Sequence, residues 1–240
     1  MDFYEDIGHG ETINGRADPG AVNGSLVEHQ INIVVGKALA DRLIEHGHNV
    51  KIEPGDLTIN ASAQAANAFG ADFCISCHEN AGGGDRGEVI YSWDDKALAL
   101  AKVVAVGLTN AGQTKVNVVK CPANTAGTAE KFGMLRIPKM PAIIIEPCFI
   151  DNALDRQLVD TVEEQKHVGI CIADAIAAVY GSALKEDDYV SDVKIVAGGK
   201  IMTGVILKDG RSYAPVRELA ESLGCKVGWN EALRTVTITK

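Results

Sequence analysis

The chain has 240 residues, 46% hydrophobic and 23% charged, with a formal net charge of −9. That composition fits a globular core with a small second unit, and the acidic balance excludes a general nucleic-acid surface, which needs positive patches. No run approaches the eighteen apolar residues of a membrane span, so no membrane insertion is expected.

The first strand is expected over residues 1–7, and Gly8-His9-Gly10 turns the chain behind it. Residues 11–24 are rich in Gly, Asn and Asp, with Asp18-Pro-Gly-Ala21 as a turn. From Ser25 to about His46, Leu26, Val27, Ile31, Val34, Val35, Ala38, Leu39 and Leu43 form an apolar stripe near the 3.6-residue period of a helix. Ser25-Leu-Val-Glu28 spells a capping box, which offers Glu28 a purely structural role. A strand over Asn49–Glu53 ends at Pro54-Gly55, and an alanine-rich helix runs from about Thr58 to Phe69. Residues 72–78 read as a buried strand ending on His78. After Gly82-Gly-Gly84 come a strand near Glu88–Tyr91 and a helix over 95–111. Residues 114–138 carry one short strand near Val116–Val119 and then a long loop of the kind that often binds ligands. Ala142–Glu146 is the last core strand, followed by helices near Ala153–Leu158 and Val162–Tyr180.

Alternating strands and helices imply an α/β fold: a mostly parallel twisted sheet with helices on both faces. The domain expectation is a catalytic domain over 1–181, a linker over 182–190 and a small α+β domain over 191–240, a size that leaves a thin core.

Cys74-Ile-Ser-Cys77-His78 matches the C-x-x-C-H haem attachment spelling. Strand geometry argues against haem, thiol–metal and redox readings, because Cys74 and Cys77 then point to opposite faces. The six cysteines are scattered through apolar runs rather than set in a disulfide framework, as in proteins made in a reducing cytosol. Met-Asp-Phe-Tyr-Glu-Asp at the start has neither the basic nor the apolar region of a signal peptide.

Three apolar runs each end on a side chain that binds metals or moves protons: His9, His78 and Glu146. In a parallel sheet such ends gather at the carboxyl edge, where ligands bind. Glu28, in the first turn of the first helix, belongs to the same rim. His9, Glu28 and His78 make a three-ligand set of the kind that holds catalytic zinc with one position open, and mixed nitrogen and oxygen donors favour Zn2+ over magnesium or calcium. A separate carboxylate is still needed for proton transfer, and Glu146 fits. Each of the four has a bland reading alone: a turn histidine, a cap, a core-edge histidine, and a carboxylate facing a helix terminus. His29, His46, His48 and His167 read as surface or helix-end residues.

Asp6-Ile-Gly-His-Gly10, Asp18-Pro-Gly-Ala21, Glu28, Ala66-Asn67 with Gly70-Ala-Asp72, Ile75-Ser-Cys-His-Glu-Asn80, Gly87-Glu-Val89, Pro141-Ala-Ile-Ile-Ile-Glu146 and Phe149-Ile-Asp-Asn152 resemble the zinc-dependent N-acetylmuramoyl-L-alanine amidases over about residues 3–180. The resemblance implies one zinc per chain on His9, Glu28 and His78, with Glu146 as general base and acid. It implies hydrolysis of the amide between N-acetylmuramic acid and L-alanine in peptidoglycan, with zinc-bound water as nucleophile. Asn80, in the same motif, is expected to contact substrate. Gln64, where arginine is common, Cys77 before the histidine, and Pro147-Cys148 after the glutamate depart from the family pattern and leave substrate preference open.

The tail, with Asp209-Gly-Arg-Ser-Tyr-Ala-Pro-Val-Arg217, Val227-Gly-Trp229 and Arg234-Thr-Val-Thr-Ile-Thr239, resembles the repeat domain named after the N-terminal part of copper amine oxidases. It contains no histidine, so no copper site is expected; wall binding or self-association is. The implied setting is the bacterial cell wall, reached by a phage-type endolysin at lysis or by an exported autolysin. The competing functions are a zinc peptidase acting within the stem peptide and a wall-binding protein with an inactive site.

Overall fold

The computed structural model describes residues 1–13, 16–53, 55–181, 195–201, 206–208, 211–213, 216–230 and 235–240. The chain divides into two units, Met1–Ala183 and Leu184–Lys240. The first is built on six strands: β1 (Asp2–Ile7), β2 (Asn49–Ile52), β3 (Phe73–Cys77), β4 (Gly87–Tyr91), β5 (Val116–Lys120) and β6 (Ala142–Glu146). Their order is β2-β1-β3-β6-β4-β5. Every neighbouring pair is parallel except β6–β4, which is antiparallel. Three strands that precede the site, β1, β3 and β6, therefore deliver their carboxyl ends to one edge, while β4 delivers its amino end there.

Helices cover both faces, as the alternating pattern implies. α1 (Glu28–Glu45), α3 (Leu98–Ala111) and α5 (Val162–Tyr180) lie on one side, where Ile31, Val35, Leu39, Leu43, Val104 and Ile172 pack on Ile75, Val89, Ile143 and Ile145. Burying each such side chain contributes on the order of 1.5–3 kcal/mol. α1 and α5 approach closely at Gly169, where any Cβ would fall onto the Val35 carbonyl oxygen. α2 (Ile59–Phe69) and the one-turn α4 (Gly133–Arg136) cover the other side with Ala63, Ala66, Met134 and Leu135 against Tyr4, Cys74, Ile90 and Ile144.

Local chemistry sets several boundaries. Thr58 caps α2 by accepting the Ala61 N–H, and Gly70 ends the helix with φ of 72°. Thr161 and Glu164 form a reciprocal capping box at the start of α5. The Ser25 capping box is not formed. α1 starts three residues later, with Val27 at the cap and no side-chain cap bond, which frees the Glu28 carboxylate. Two short antiparallel ladders, Thr12–Ile13 with Arg16–Ala17 and Val22–Asn23 with Leu26–Val27, precede α1, and the residue pattern does not announce them.

Cys74 and Cys77 lie in the separate cores on the two faces, as alternation requires, and all six cysteines are free. Among the described residues no helix is long and apolar enough to cross a membrane. The described part of the second unit consists of three two-stranded antiparallel ladders, Val196–Ala197 with Lys200–Ile201, Ile206–Lys208 with Arg211–Tyr213 and Lys226–Asn230 with Thr235–Thr239, and one helix, Val216–Ser222. The linker assigned to 182–190 lies outside the described residues.

Candidate metal centre

His9 follows β1 by two residues, His78 follows β3 directly, and Glu28 opens α1. The structure brings the three together: one ligand atom from each lies within 4.8 Å of the others. His9 Nε2 is 3.1 Å and His78 Nδ1 is 3.0 Å from the same oxygen, Oε1 of Glu28. The two imidazole rings stand nearly perpendicular, at 76°, with centroids 4.9 Å apart.

This convergence is held from outside. His9 has φ of 67°, a left-handed conformation that costs a non-glycine residue about 1–2 kcal/mol. The turn is pinned because the preceding carbonyl, Gly8 O, accepts from His29 Nδ1 at 3.0 Å and from Asn32 Nδ2 at 3.2 Å. His29 is thus a half-buried brace rather than a surface residue. Asp18 Oδ2 accepts from His9 Nδ1 at 2.7 Å, which leaves Nε2 facing Glu28. Glu28 accepts the Ala21 N–H at 2.8 Å through Oε2 and the Glu79 N–H at 3.1 Å through Oε1.

Burial opposes charge on both His9 and Glu28, but their mutual bonds outweigh it. Bonds to Glu28 and Asp18 push His9 up to about 9, and bonds from His78, His9 and Ala21 hold Glu28 well below the usual carboxylate range. The His9 bond likewise lowers Asp18. A nearly buried carboxylate kept ionised between two imidazoles is the electrostatic setting that a divalent cation matches. The donor set, two nitrogens and one carboxylate oxygen, is one that suits zinc.

Glu146 ends β6 on the same edge. Burial pushes its carboxyl up to about 7; Glu88 and Glu28 add to the rise, while His78 and the Asn80 amide oppose it. Asn80 Nδ2 donates to Glu146 Oε2 and, at 3.2 Å, to Glu88 Oε2, and its Oδ1 accepts the Ala81 N–H at 2.9 Å. Asn80, expected to face substrate, thus commits its amide to protein groups beside the carboxylate.

A cleft of about 240 Å³ opens against His9 and His78. Ile59, Phe132, Met134 and Ile144 supply apolar surface, and Asp6, Glu11 and Asp18 line it with carboxylates. Phe132 and Met134 come from the segment read as a loop, which carries the short helix α4. A larger apolar groove of about 370 Å³, between α1 and α5 at Ile33, Val162 and Ile170, contains none of His9, Glu28, His78, Asn80 and Glu146.

The residue pattern missed several members of this neighbourhood. Asp18 and Glu88 stood within motifs of the family resemblance but were given no role of their own. Glu79 is buried, accepts from Cys148 N and Sγ at 3.1 and 3.4 Å, and burial holds it well above the usual carboxylate range. Asp6 is buried and accepts from the hydroxyls of Ser62 and Ser76. His48 is another correction: it is 5% exposed and packs edge-on against Phe3 at 5.3 Å, with burial lowering its pKa. His46 bonds Asp174 of α5 at 2.7 Å, while His167 lies at an exposed contact with Cys171.

Comparison with known proteins supplies the family. Residues 6–178 match the model of the N-acetylmuramoyl-L-alanine amidase family, and residues 195–240 match the copper amine oxidase N-terminal domain. The chain is 29% identical over 185 residues to the uncharacterized protein YqiI of Bacillus subtilis (strain 168), covering 74% of this chain and 84% of that one. It is 30% identical over 161 residues to the N-acetylmuramoyl-L-alanine amidase CwlM of Bacillus licheniformis, covering 65% and 59%. Among solved structures, Cwp6 from Clostridium difficile aligns with a TM-score of 0.67 at 24% identity over 74% of this chain and 29% of that one, a likeness of fold. The chain thus spans about three fifths of CwlM and under a third of Cwp6. With its match running through His9, Glu28, His78 and Glu146, the chain belongs to the N-acetylmuramoyl-L-alanine amidase family.

Proposed function

We propose that the chain is a zinc-dependent peptidoglycan hydrolase that cleaves the amide between N-acetylmuramic acid and the L-alanine of the stem peptide. The observation that carries this reading is the meeting of His9 Nε2 and His78 Nδ1 on one oxygen of Glu28, with Glu146 ending a neighbouring strand on the same edge. His9, Glu28 and His78 would hold the ion. When bound, zinc supplies Lewis-acid polarisation of a carbonyl and lowers the pKa of water.

The remaining chemistry falls to the chain's own groups. Glu146, with a proton affinity near neutrality, takes a proton from the attacking water and returns it to the departing alanine nitrogen. Asn80 holds one Glu146 oxygen, and Asp18 keeps His9 turned inward. The apolar and acidic cleft receives part of the substrate next to the reacting amide. The site of action is the bacterial wall, reached at lysis or by export. The small C-terminal unit serves wall binding or self-association.

Digestion of purified peptidoglycan with the zinc-loaded protein, followed by mass analysis, tests the reading. Free stem peptides with an L-alanine amino terminus are expected. Fragments cut inside the stem peptide would make the enzyme a peptidase, and wall binding without any release would make it an inactive binder.

A further inference from the structure

Glu88 stands directly opposite Glu146 across the antiparallel pair β4–β6. Two carboxylates facing each other across a sheet repel and destabilise it. Here the pair persists at the rim of the site, joined through one group. An amide NH2 has two protons to give. Asn80 gives one to Glu146 Oε2 and the other to Glu88 Oε2. Both acceptors are carboxylates, so the amide has only one workable orientation, and its Oδ1 takes the Ala81 N–H in agreement.

Glu88 is fixed in turn. Arg86 Nε donates to Glu88 Oε1 at 2.6 Å, and the Arg86 guanidinium lies 4.8 Å from the centroid of the Phe149 ring. The Arg86 backbone N–H is bound to Asp155 at 3.2 Å. The backbone of Asn80 is held on both sides, donating to Cys148 O at 2.9 Å and accepting from Ile150 N at 3.0 Å. The chain from Phe149 through Arg86, Glu88 and Asn80 ends on one oxygen of Glu146, which leaves the other oxygen for the water.

We propose that Glu88 is a positioning residue for the amidase reaction, acting through the Asn80 amide to fix the Glu146 carboxylate, with Arg86 clamping Glu88. This rests on the reading of Glu146 given above. Without Glu88 the Asn80 amide keeps only its bonds to Glu146 and Ala81, and the Glu146 carboxylate is held less firmly while the metal ligands and the cleft walls stay in place. The effect therefore falls on turnover and not on substrate affinity.

The test compares the zinc-loaded full chain with Glu88→Ala and Glu88→Gln, following release of stem peptide from purified peptidoglycan. Glu88→Ala is expected to lower kcat about tenfold with KM within about twofold, a loss of orientation alone. Glu88→Gln keeps one oxygen for the Asn80 proton but gives up the Arg86 bond, and is expected to hold kcat within about threefold of the parent. Arg86→Met gives up the same bond, is expected to match Glu88→Gln, and covers the case in which Glu88→Ala does not fold. The 15N–1H signals of the Asn80 side-chain amide give a readout independent of turnover: one proton should lose its hydrogen-bonded shift in Glu88→Ala and keep it in Glu88→Gln. An active parent with unchanged kcat in folded Glu88→Ala, or equal losses in Ala and Gln, overturns the positioning role alone. A parent that releases no stem peptide overturns the amidase reading, and this role with it.

Discussion

Asp18 Oδ2 sits 2.7 Å from His9 Nδ1, on the far side of the ring from Glu28. This one bond decides which imidazole nitrogen faces the other two site residues. Asp18→Ala is expected to lower zinc affinity about 10–100-fold, the usual cost of losing a partner behind a metal-binding histidine. Competition against a chromogenic chelator measures it. Asp18→Asn, which keeps an oxygen at the same reach, is expected to lose less.

Gly20 is the tightest constraint next to this pair. Its φ is +66°, and a Cβ there would come within 2.6 Å of both Glu28 Oε2 and His9 Cδ2. Gly20→Ala should therefore destabilise the first unit by about 1–3 kcal/mol and reduce bound zinc, read by thermal unfolding and metal analysis. Full zinc occupancy at the parent's melting temperature would contradict the geometry.

Glu146→Gln removes the proton acceptor without touching the three converging residues. Activity is expected to fall about 10²–10⁴-fold while zinc content stays at one per chain. The sign of the pH dependence follows from the raised pKa. Glu146 must be ionised to accept a proton, so the parent's kcat/KM should climb as pH rises through about 7. A profile flat from pH 5 to 8 would assign the proton to another group.

Glu5 gives a prediction about stability. It is fully buried on β1 and accepts from Cys77 Sγ at 3.1 Å, and burial pushes its carboxyl from 4.5 up to about 8. The native chain then keeps a proton that the unfolded chain has already released. The stabilisation is complete below about 4.5 and is lost as pH rises through about 8. Between pH 5 and 8.5 the melting temperature of the parent should fall more than that of Glu5→Gln. Glu53, raised to about 7 mainly by burial, keeps a smaller slope of the same sign in the variant.

How much of this was readable beforehand varies with the physics involved. Apolar strands ending on His9, His78 and Glu146 carry their message in the chain itself, because a parallel sheet sends such ends to one edge. The stripe of α1 is equally local. Register is not local: nothing in Gly87-Glu-Val89 says that β4 runs backwards beside β6 and sets Glu88 against Glu146. The ladders Thr12–Ile13 with Arg16–Ala17 and Val22–Asn23 with Leu26–Val27 have two residues a side, too short to show a period. Ser25-Leu-Val-Glu28 had the spelling of a cap, but the Ala21 and Glu79 N–H groups and two imidazoles draw Glu28 elsewhere. His48 looked like a helix-end cation, yet the turn after α1 folds it under Phe3.

The reversed direction of β4 has an evolutionary reading. A strand that enters the sheet from the rim brings its preceding loop, residues 81–86, to the mouth of the site rather than to the opposite end of the barrel-less sheet. Gly82 and Gly83 donate to Asp151, and Gly84 O accepts from Asn152 Nδ2, so the tip of that loop is tied to the chain that follows β6. Changes in this loop reach the neighbours of Glu146 through Arg86, Asp151 and Asn152, so the loop is constrained to evolve together with the rim it closes.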